Sequence, residues 1–178
     1  MTPEARVLAE AFADDPLMTF FWPDPDRRRR ALPYFWHSRV ESRRRKGIVD
    51  TASDDTGIVS VVLWDLPGTP TPIAKPLSMI RALGGATPRA LATSRKIEGL
   101  RPKHPHLYLA CGATLPHARA KGVTAQLVRA RLEASRADIF VIATNDFSAT
   151  LAEHDGFHPT GELVVARNVV LRGMLRAV

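Results

Sequence analysis

At 178 residues, with 45% hydrophobic and 24% charged side chains, the chain can bury a full core and reads as one globular unit over residues 1–178. No apolar run approaches the roughly 20 residues that a membrane-spanning helix needs, and the polar start Met1-Thr-Pro-Glu-Ala-Arg6 lacks the pattern of a secretory leader, so a cytoplasmic location is expected. A single cysteine, Cys111, excludes an internal disulfide, and 25 Lys and Arg against 18 Asp and Glu leave a net charge of +7.

In chain order, residues 3–13 read as a first helix. Asp14-Asp15-Pro16 reads either as a helix stop or as a place to hold a cationic amine. Phe20, Phe21 and Trp22 are expected in the core rather than as a cage for a cation. Residues 26–46 read as a second helix in which Leu32, Phe35, Trp36 and Val40 share a face, with Pro33 either kinking it or marking its true start. Basic runs at 27–30 and 43–46 bracket this helix. The second suits a helix C-terminus; the first is expected as solvated surface, with Asp24 and Asp26 as caps or partners. No zinc-finger spacing or RNA-binding aromatic motif accompanies them.

Residues 47–51 and 57–65 read as a hairpin around a polar turn, and residues 66–76, with four prolines, as a loop. Residues 77–100 read as one or two helices broken near Gly84-Gly85, an insertion suited to wall an acceptor pocket. Near its end Glu98 is a candidate to accept a proton through water. His104-Pro105-His106 reads as a loop with structural histidines, no third metal ligand being evident. Residues 106–114 read as a buried strand, and Cys111 within it as a small core residue, since no flanking pattern marks a nucleophile.

The segment that follows, Leu115-Pro-His-Ala-Arg119-Ala120-Lys121-Gly122-Val123-Thr124-Ala125, carries a basic, small-residue turn into a helix. A helix start leaves about four N–H groups without intrahelical partners and carries partial positive charge, which together make an anion site. Small residues at Ala120, Gly122, Thr124 and Ala125 let phosphate oxygens approach the main chain, Gly122 supplies a conformation that side chains forbid, and Arg119 and Lys121 add charge. In the helix, Val123, Leu127, Ala130 and Ala134, with Val128 and Leu132 beside them, form the apolar stripe. Residues 137–143 read as a strand, Thr144-Asn145-Asp146 as its polar exit, residues 147–155 as a short helix stopped by Gly156, and residues 162–171 as a closing strand.

Two of these segments resemble the GNAT superfamily of N-acetyltransferases. Arg119-x-x-Gly122-x-Thr124 is similar to the acyl-CoA-binding motif written Q/R-x-x-G-x-G/A, and the Asn145-containing strand exit with its helix ending in Gly156-Phe157 is similar to the second signature. Residues 11–16 and 63–68 resemble a bacterial branch, so the likeness spans most of the chain. It implies an α/β (α+β) fold: a mixed, largely antiparallel central sheet of six to seven strands, splayed at the acyl-CoA site and flanked by helices. It also implies acetyl-CoA as co-substrate and an amine-bearing small molecule or peptide as acceptor. Main-chain groups near Ala113 and Thr114 would pair with the pantetheine arm, and those of Arg119, Ala120, Lys121, Gly122, Val123, Thr124 and Ala125 would hold the pyrophosphate. Asn145 and Ser148 would border the cofactor, and the acceptor amine would attack the thioester directly, an N–H near the splay stabilising the oxyanion.

Three positions depart from the family pattern. Thr124 stands where Gly or Ala is usual, with a hydroxyl to bond a phosphate or bulk to hinder one. Ser148 stands where an Asn usually contacts the pantetheine, and Ala152 where a Tyr often serves as general acid. Without that acid the thiolate takes its proton from water or leaves as the anion, which thiol acidity tolerates. Two other readings stay open: a GNAT fold that binds CoA as a sensor or protein partner, and a basic nucleic-acid-binding protein with steep salt dependence. The acceptor, the acyl chain length and the choice between monomer and homodimer are not fixed by the sequence.

Overall fold

Side-chain caps decide where the first helices begin. Thr2 accepts from the Ala5 N–H to open α1 (Pro3–Ala11), Asp15 from the Leu17 and Met18 N–H groups to open α2 (Pro16–Phe21), and Asp24 from the Arg27 N–H to open α3 (Pro25–Lys46). Each has a proline in its first turn, where the missing N–H has no intrahelical partner to lose. Asp14-Asp15-Pro16 therefore separates two helices, and α2, only 6 residues long, is too short to show a period in the sequence. Pro33 does not mark the start of α3, which begins at Pro25 and holds its course through the burial of Ala31, Leu32, Trp36 and Val40. The computed structural model describes residues 1–119 and 121–178; Ala120, expected in the phosphate turn, lies outside the described residues.

After α3 come the hairpin β1 (Gly47–Asp54) and β2 (Gly57–Asp65), the helices α4 (Pro76–Leu83) and α5 (Thr87–Leu100), and β3 (Leu107–Thr114). The chain ends in α6 (Val123–Ala134), β4 (Ile139–Ala143), α7 (Asp146–His154), β5 (His158–Ala166) and β6 (Val169–Arg176). The strands make one six-stranded sheet in the order β1-β2-β3-β4-β6-β5, antiparallel except where β3 meets β4. This is the mixed, largely antiparallel α/β sheet that the sequence implies. Residues 162–171, expected as one strand, belong to two: the chain reverses at Arg167-Asn168, and a turn without Gly or Pro leaves no break in the apolar pattern.

Side chains of β2 alternate between two cores. Val61 and Leu63 face α1 to α3, whereas Val62 and Trp64 join Val128, Leu132, Ala149 and Phe157 under α6 and α7. Helix α6 buries Val128 and Leu132, and Ala130 and Ala134, expected on its inner stripe, are exposed. The helix is rotated because Asp50 draws Arg131 inward: Nη2 lies 2.6 Å from Oδ1, and the Trp64 indole donates to Oδ2 at 2.9 Å. No described helix is long and apolar enough to cross a membrane.

The basic runs are also placed differently from expectation. Arg28 is buried, its Nη1 donating to the Trp22 carbonyl at 2.8 Å and its Nε to the Ala13 carbonyl at 2.6 Å. Arg27 Nη2 donates to the Arg81 and Ala82 carbonyls at 3.0 and 2.9 Å, closing the C-terminal end of α4, so that only Arg29 and Arg30 of this run are exposed. Arg43, rather than serving the end of its own helix, is 1% exposed and grips Asp65 of β2, with Nη2 at 2.9 Å from Oδ2 and Nε at 2.8 Å from Oδ1. Removing one partner of such a pair strands a charge in the interior, so Asp65→Ala should cost about 3–5 kcal/mol, read as a lower urea midpoint. The double change Arg43→Met, Asp65→Leu should recover most of that loss, since an apolar pair of similar volume substitutes for a buried ion pair.

Candidate functional site

Parallel pairing between β3 and β4 lasts three residues, Leu107 with Ile139, Tyr108 with Phe140 and Leu109 with Val141. Beyond them β4 stays with β6 and β3 stays with β2, so the two part. A bulge marks the same point: Leu63 faces Cys111 and Trp64 faces Leu109, leaving Ala110 as the extra residue. Bulges bend a strand and raise its twist, which turns β3 away from β4. From Ala110 to Thr114, the edge of β3 toward β4 carries no strand among the described residues. The expected splay is therefore present, and Ala113 and Thr114 lie along it.

The helix start has the conformation that the sequence suggests. Gly122 caps α6 at φ +68°, in the left-handed region, no side chain caps the helix, and a Cβ placed there would meet nothing within 4 Å. The N–H groups of Val123, Thr124 and Ala125 follow, with Arg119 and Lys121 exposed beside them. Thr124 is turned the other way. Its hydroxyl lies 2.8 Å from Ser60 Oγ and also bonds Thr114 Oγ1, while Ser60 Oγ donates to the Ala113 carbonyl at 3.1 Å. Its methyl sits over Gly112, where an added Cβ would come within 3.0 Å of Cγ2. Both branches of Thr124 thus pin the helix start to β2 and β3, and Gly112 provides the room.

At the exit of β4, Asn145 and Ser148 cap α7 reciprocally. The Ser148 N–H donates to Asn145 Oδ1 at 2.8 Å, and the Asn145 N–H donates to Ser148 Oγ at 3.3 Å. The Thr144 hydroxyl donates to Asp15 Oδ2 at 2.6 Å, tying the strand exit to α2, and burial pushes the Asp15 carboxyl up. Ala152 packs against the core that holds Phe157 and Met174. The chain has two tyrosines, neither on α7: Tyr34 lies under the Arg81 guanidinium, and Tyr108 under that of Arg101, each at 4.3 Å.

A cavity of about 750 Å³ opens between the sheet and helices α2 to α5, so the α4–α5 insertion does wall a pocket. It reaches the splay, being lined by Ala110 and Cys111 of β3 and by Ile142 and Thr144 of β4. Its proline-rich loop is fixed to α3, as the Ser38 hydroxyl bonds the Ala74 carbonyl and the Ala74 N–H donates to Ser42 Oγ at 3.0 Å. Glu98 lines the cavity, is exposed, and lies 3.4 Å from Arg101. The histidines are structural in their contacts: His104 Nε2 lies 2.9 Å from Asp138 Oδ2, and the His106 ring, pulled down in pKa by burial, bonds the His104 carbonyl. No group of three or more His, Cys, Asp or Glu among the described residues could hold a metal ion. Cys111 is half-buried rather than fully buried, and desolvation pushes its thiol up to about 12.

Arg39, one turn before Arg43, also lines this cavity, and its guanidinium has no hydrogen-bond or ion-pair partner among the described residues. The neighbouring charge of Arg43, followed by burial, pulls it down to about 10. Sequence reading passed over Arg39, Ser60 and Gly112. The signal for Arg39 was its place on the apolar face, since positions 32, 36, 39 and 43 are spaced by three or four.

Among solved structures, the histone acetyltransferase HPA2 and related acetyltransferase from Corynebacterium glutamicum is 29% identical, with a TM-score of 0.73 over 98% of this chain and 88% of that one. A GNAT family acetyltransferase from Streptococcus agalactiae is 11% identical, with a TM-score of 0.58 over 100% of this chain and 92% of its own. The mosquito arylalkylamine N-acetyltransferase like 5b is 16% identical, with a TM-score of 0.55 over 98% and 93%. No protein-family model matches the sequence, and no curated protein matches it. The fold is that of the GNAT acetyltransferases.

The helix anchor makes a direct test. Gly112→Ala should destabilise by about 1–3 kcal/mol, because the Thr124 methyl is held by its hydroxyl bonds and cannot yield. Thr124→Ser in the same chain should restore most of it, a coupling that a double-mutant cycle in urea measures. A thiol at about 12 is almost fully protonated at pH 8, so Cys111 should resist iodoacetamide in the folded protein and react on unfolding, read by mass spectrometry.

Proposed function

We propose that the protein is an N-acetyltransferase, moving an acetyl group from acetyl-CoA to an amine held in the cavity. One observation carries this reading: the open helix start at Gly122 and the cavity converge on the same splayed stretch of β3, Ala110 to Thr114, one from each face of the sheet. The names of the similar structures support it. Amides of Gly122, Val123, Thr124 and Ala125 would hold the pyrophosphate, while Arg119 and Lys121, whose amides bond the Pro116 and Arg119 carbonyls, would add charge, with Ala120 assigned there by sequence alone. Main-chain groups of Ala113 and Thr114 would hold the pantetheine arm. Asn145 and Ser148 would border it through their backbone, their side chains being engaged in the α7 cap.

Acetyl-CoA supplies the activated acyl group when bound; the chain supplies orientation and donors. Past the bulge, N–H groups on the β3 edge that has left β4 would meet a developing oxyanion, and the cavity would present an amine to that point. Glu98 is the candidate to take the amine's proton through water. Solvent would protonate the leaving thiolate. Ala152 is the observation that favours the second reading, a CoA-binding sensor or partner protein without efficient transfer. The burial of Arg28 and Arg43 inside the fold weighs against a nucleic-acid surface. A cytoplasmic location goes with this reading, in keeping with a sequence whose one cysteine leaves no internal disulfide.

The test is thermal unfolding with and without acetyl-CoA, followed by a screen of amine acceptors. Ligand at about a hundred times its dissociation constant adds roughly 2.7 kcal/mol to a folded state that alone binds it. Acetyl-CoA should raise the midpoint of the wild type and leave Gly122→Trp unchanged. Stabilisation with no transfer to any amine would select the sensor reading, and no stabilisation would sink both.

A further inference from the structure

We propose that the acceptor is an amine bearing a carboxylate and an apolar body, and that Arg39 binds the carboxylate inside the cavity. This rests on the acyltransferase reading above and names its substrate class. Two guanidiniums, Arg39 and Arg43, meet on the inner face of α3, against one carboxylate, Asp65. Asp65 is taken up by Arg43 through two contacts, at 2.8 and 2.9 Å, so the inner wall holds one positive charge without a protein counter-ion among the described residues. A desolvated lone charge beside a like charge is costly to fold, and a site that lowers that cost only when an anion arrives selects for anions. The depressed Arg39 guanidinium, pulled down to about 10, reflects that strain.

The charge is also close to where transfer would occur. Asp65 pairs across the sheet with Tyr108, two residues before the bulge at Ala110, and Arg39 lies one helical turn from the arginine that holds Asp65. An acid anchored there would therefore carry its amine within a few bonds of its carboxylate. The lining also holds the apolar Leu17, Met18, Phe21, Trp36 and Ile97, which suit a hydrophobic side chain, beside the polar Ser94, Glu98, Arg101 and Lys103. The Trp36 indole N–H and the Thr71 hydroxyl, on two residues of the same wall, have no partner either. One unmatched positive charge fits a carboxylate, which carries one negative charge, better than a phosphate dianion, though either fits the guanidinium fork. Polyamines and lysine-rich peptides would meet like charge at the inner end. In the step itself the amine nitrogen forms a bond to the acetyl carbon, the C–S bond breaks with its electrons leaving on sulfur, and the amine's proton passes to water.

The experiment compares acetyl transfer to phenylalanine, phenylalaninamide, phenylethylamine and O-phosphoethanolamine, with rates corrected for the fraction of free amine. Phenylalanine should lead the other three in kcat/KM by at least about tenfold, the loss expected when a buried charged donor goes unpaired. Arg39→Met should abolish that lead by raising the KM for phenylalanine while the KM for acetyl-CoA stays fixed, and Arg39→Lys should retain part of it. Arg39→Met should also melt no lower than the wild type, since it removes an unpaired charge. A second readout needs no turnover: N-acetylphenylalanine should raise the wild-type melting point, and neither its amide on the wild type nor the acid on Arg39→Met should do so. Equal rates for the acid and its amide, preference for the phosphate, or indifference to Arg39→Met would overturn this inference while leaving acetyl transfer intact. Failure of acetyl-CoA to bind would instead remove the acyltransferase reading, and carboxylate binding by the wild type would then decide the role of Arg39 alone.

Discussion

Past Leu109, the main chain of β3 has hydrogen-bonding groups on one edge and no strand among the described residues to receive them, and the rest of the architecture follows from keeping that edge open. An unpaired backbone edge is expensive to maintain in a folded interior. Two opposed attachments hold it apart. The five paired positions between β4 and β6 carry β4 away, while the bulge at Ala110 turns β3 with β2. The Thr144 hydroxyl then fixes the exit of β4 to Asp15 on α2, and the hydroxyls of Ser60, Thr114 and Thr124 fix the far end of β3 to α6. Both ends of the gap are thereby clamped by short side chains with few rotamers, which suits a site whose contribution is geometry.

Those clamps explain how the chain departs from its family pattern without losing the shape of the helix start. Threonine at position 124 would crowd a phosphate if it faced outward; Gly112 below it and Ser60 beside it give its methyl and hydroxyl a place on the sheet. Three positions far apart in sequence therefore form one unit, and the motif residue cannot be judged without the other two. The same holds for charge. Arg27, Arg28, Arg43 and Arg131 spend their guanidiniums on carbonyls and carboxylates of other elements, so part of the chain's basic content is internal scaffolding.

Local features were legible in the sequence and long-range partners were not. Gly122 could be assigned a conformation that side chains forbid because its helix start is encoded within a few residues, and the apolar positions that begin at Val123 mark where α6 starts. The splay could be expected only from family resemblance, since no residue of β3 announces where its partner will leave. Helix α2 is too short to have a period, the β5–β6 turn has neither Gly nor Pro, and Ala130 and Ala134 weigh too little in an apolar stripe to fix its direction. Arg43 looked like a helix-end cation because its partner, Asp65, is 22 residues away on a strand. Arg39 was visible only as a charge in an apolar row, a conflict between local pattern and expected environment of the kind that collects at functional sites.

That conflict matters more for function than the missing tyrosine does. An acid at position 152 would spare the reaction the cost of expelling a thiolate, and for a thiol of ordinary pKa, about 8.5, that cost at neutral pH is only about 2 kcal/mol. Correct placement of two reactants contributes on the order of 7–11 kcal/mol. On the acyltransferase reading proposed above, a chain with this clamped splay and without the acid would keep the placement of its reactants and lose only the easier departure of the thiolate, so transfer would be slowed and not abolished. The charge at Arg39 acts on placement, because an anchored carboxylate fixes where the amine nitrogen can lie.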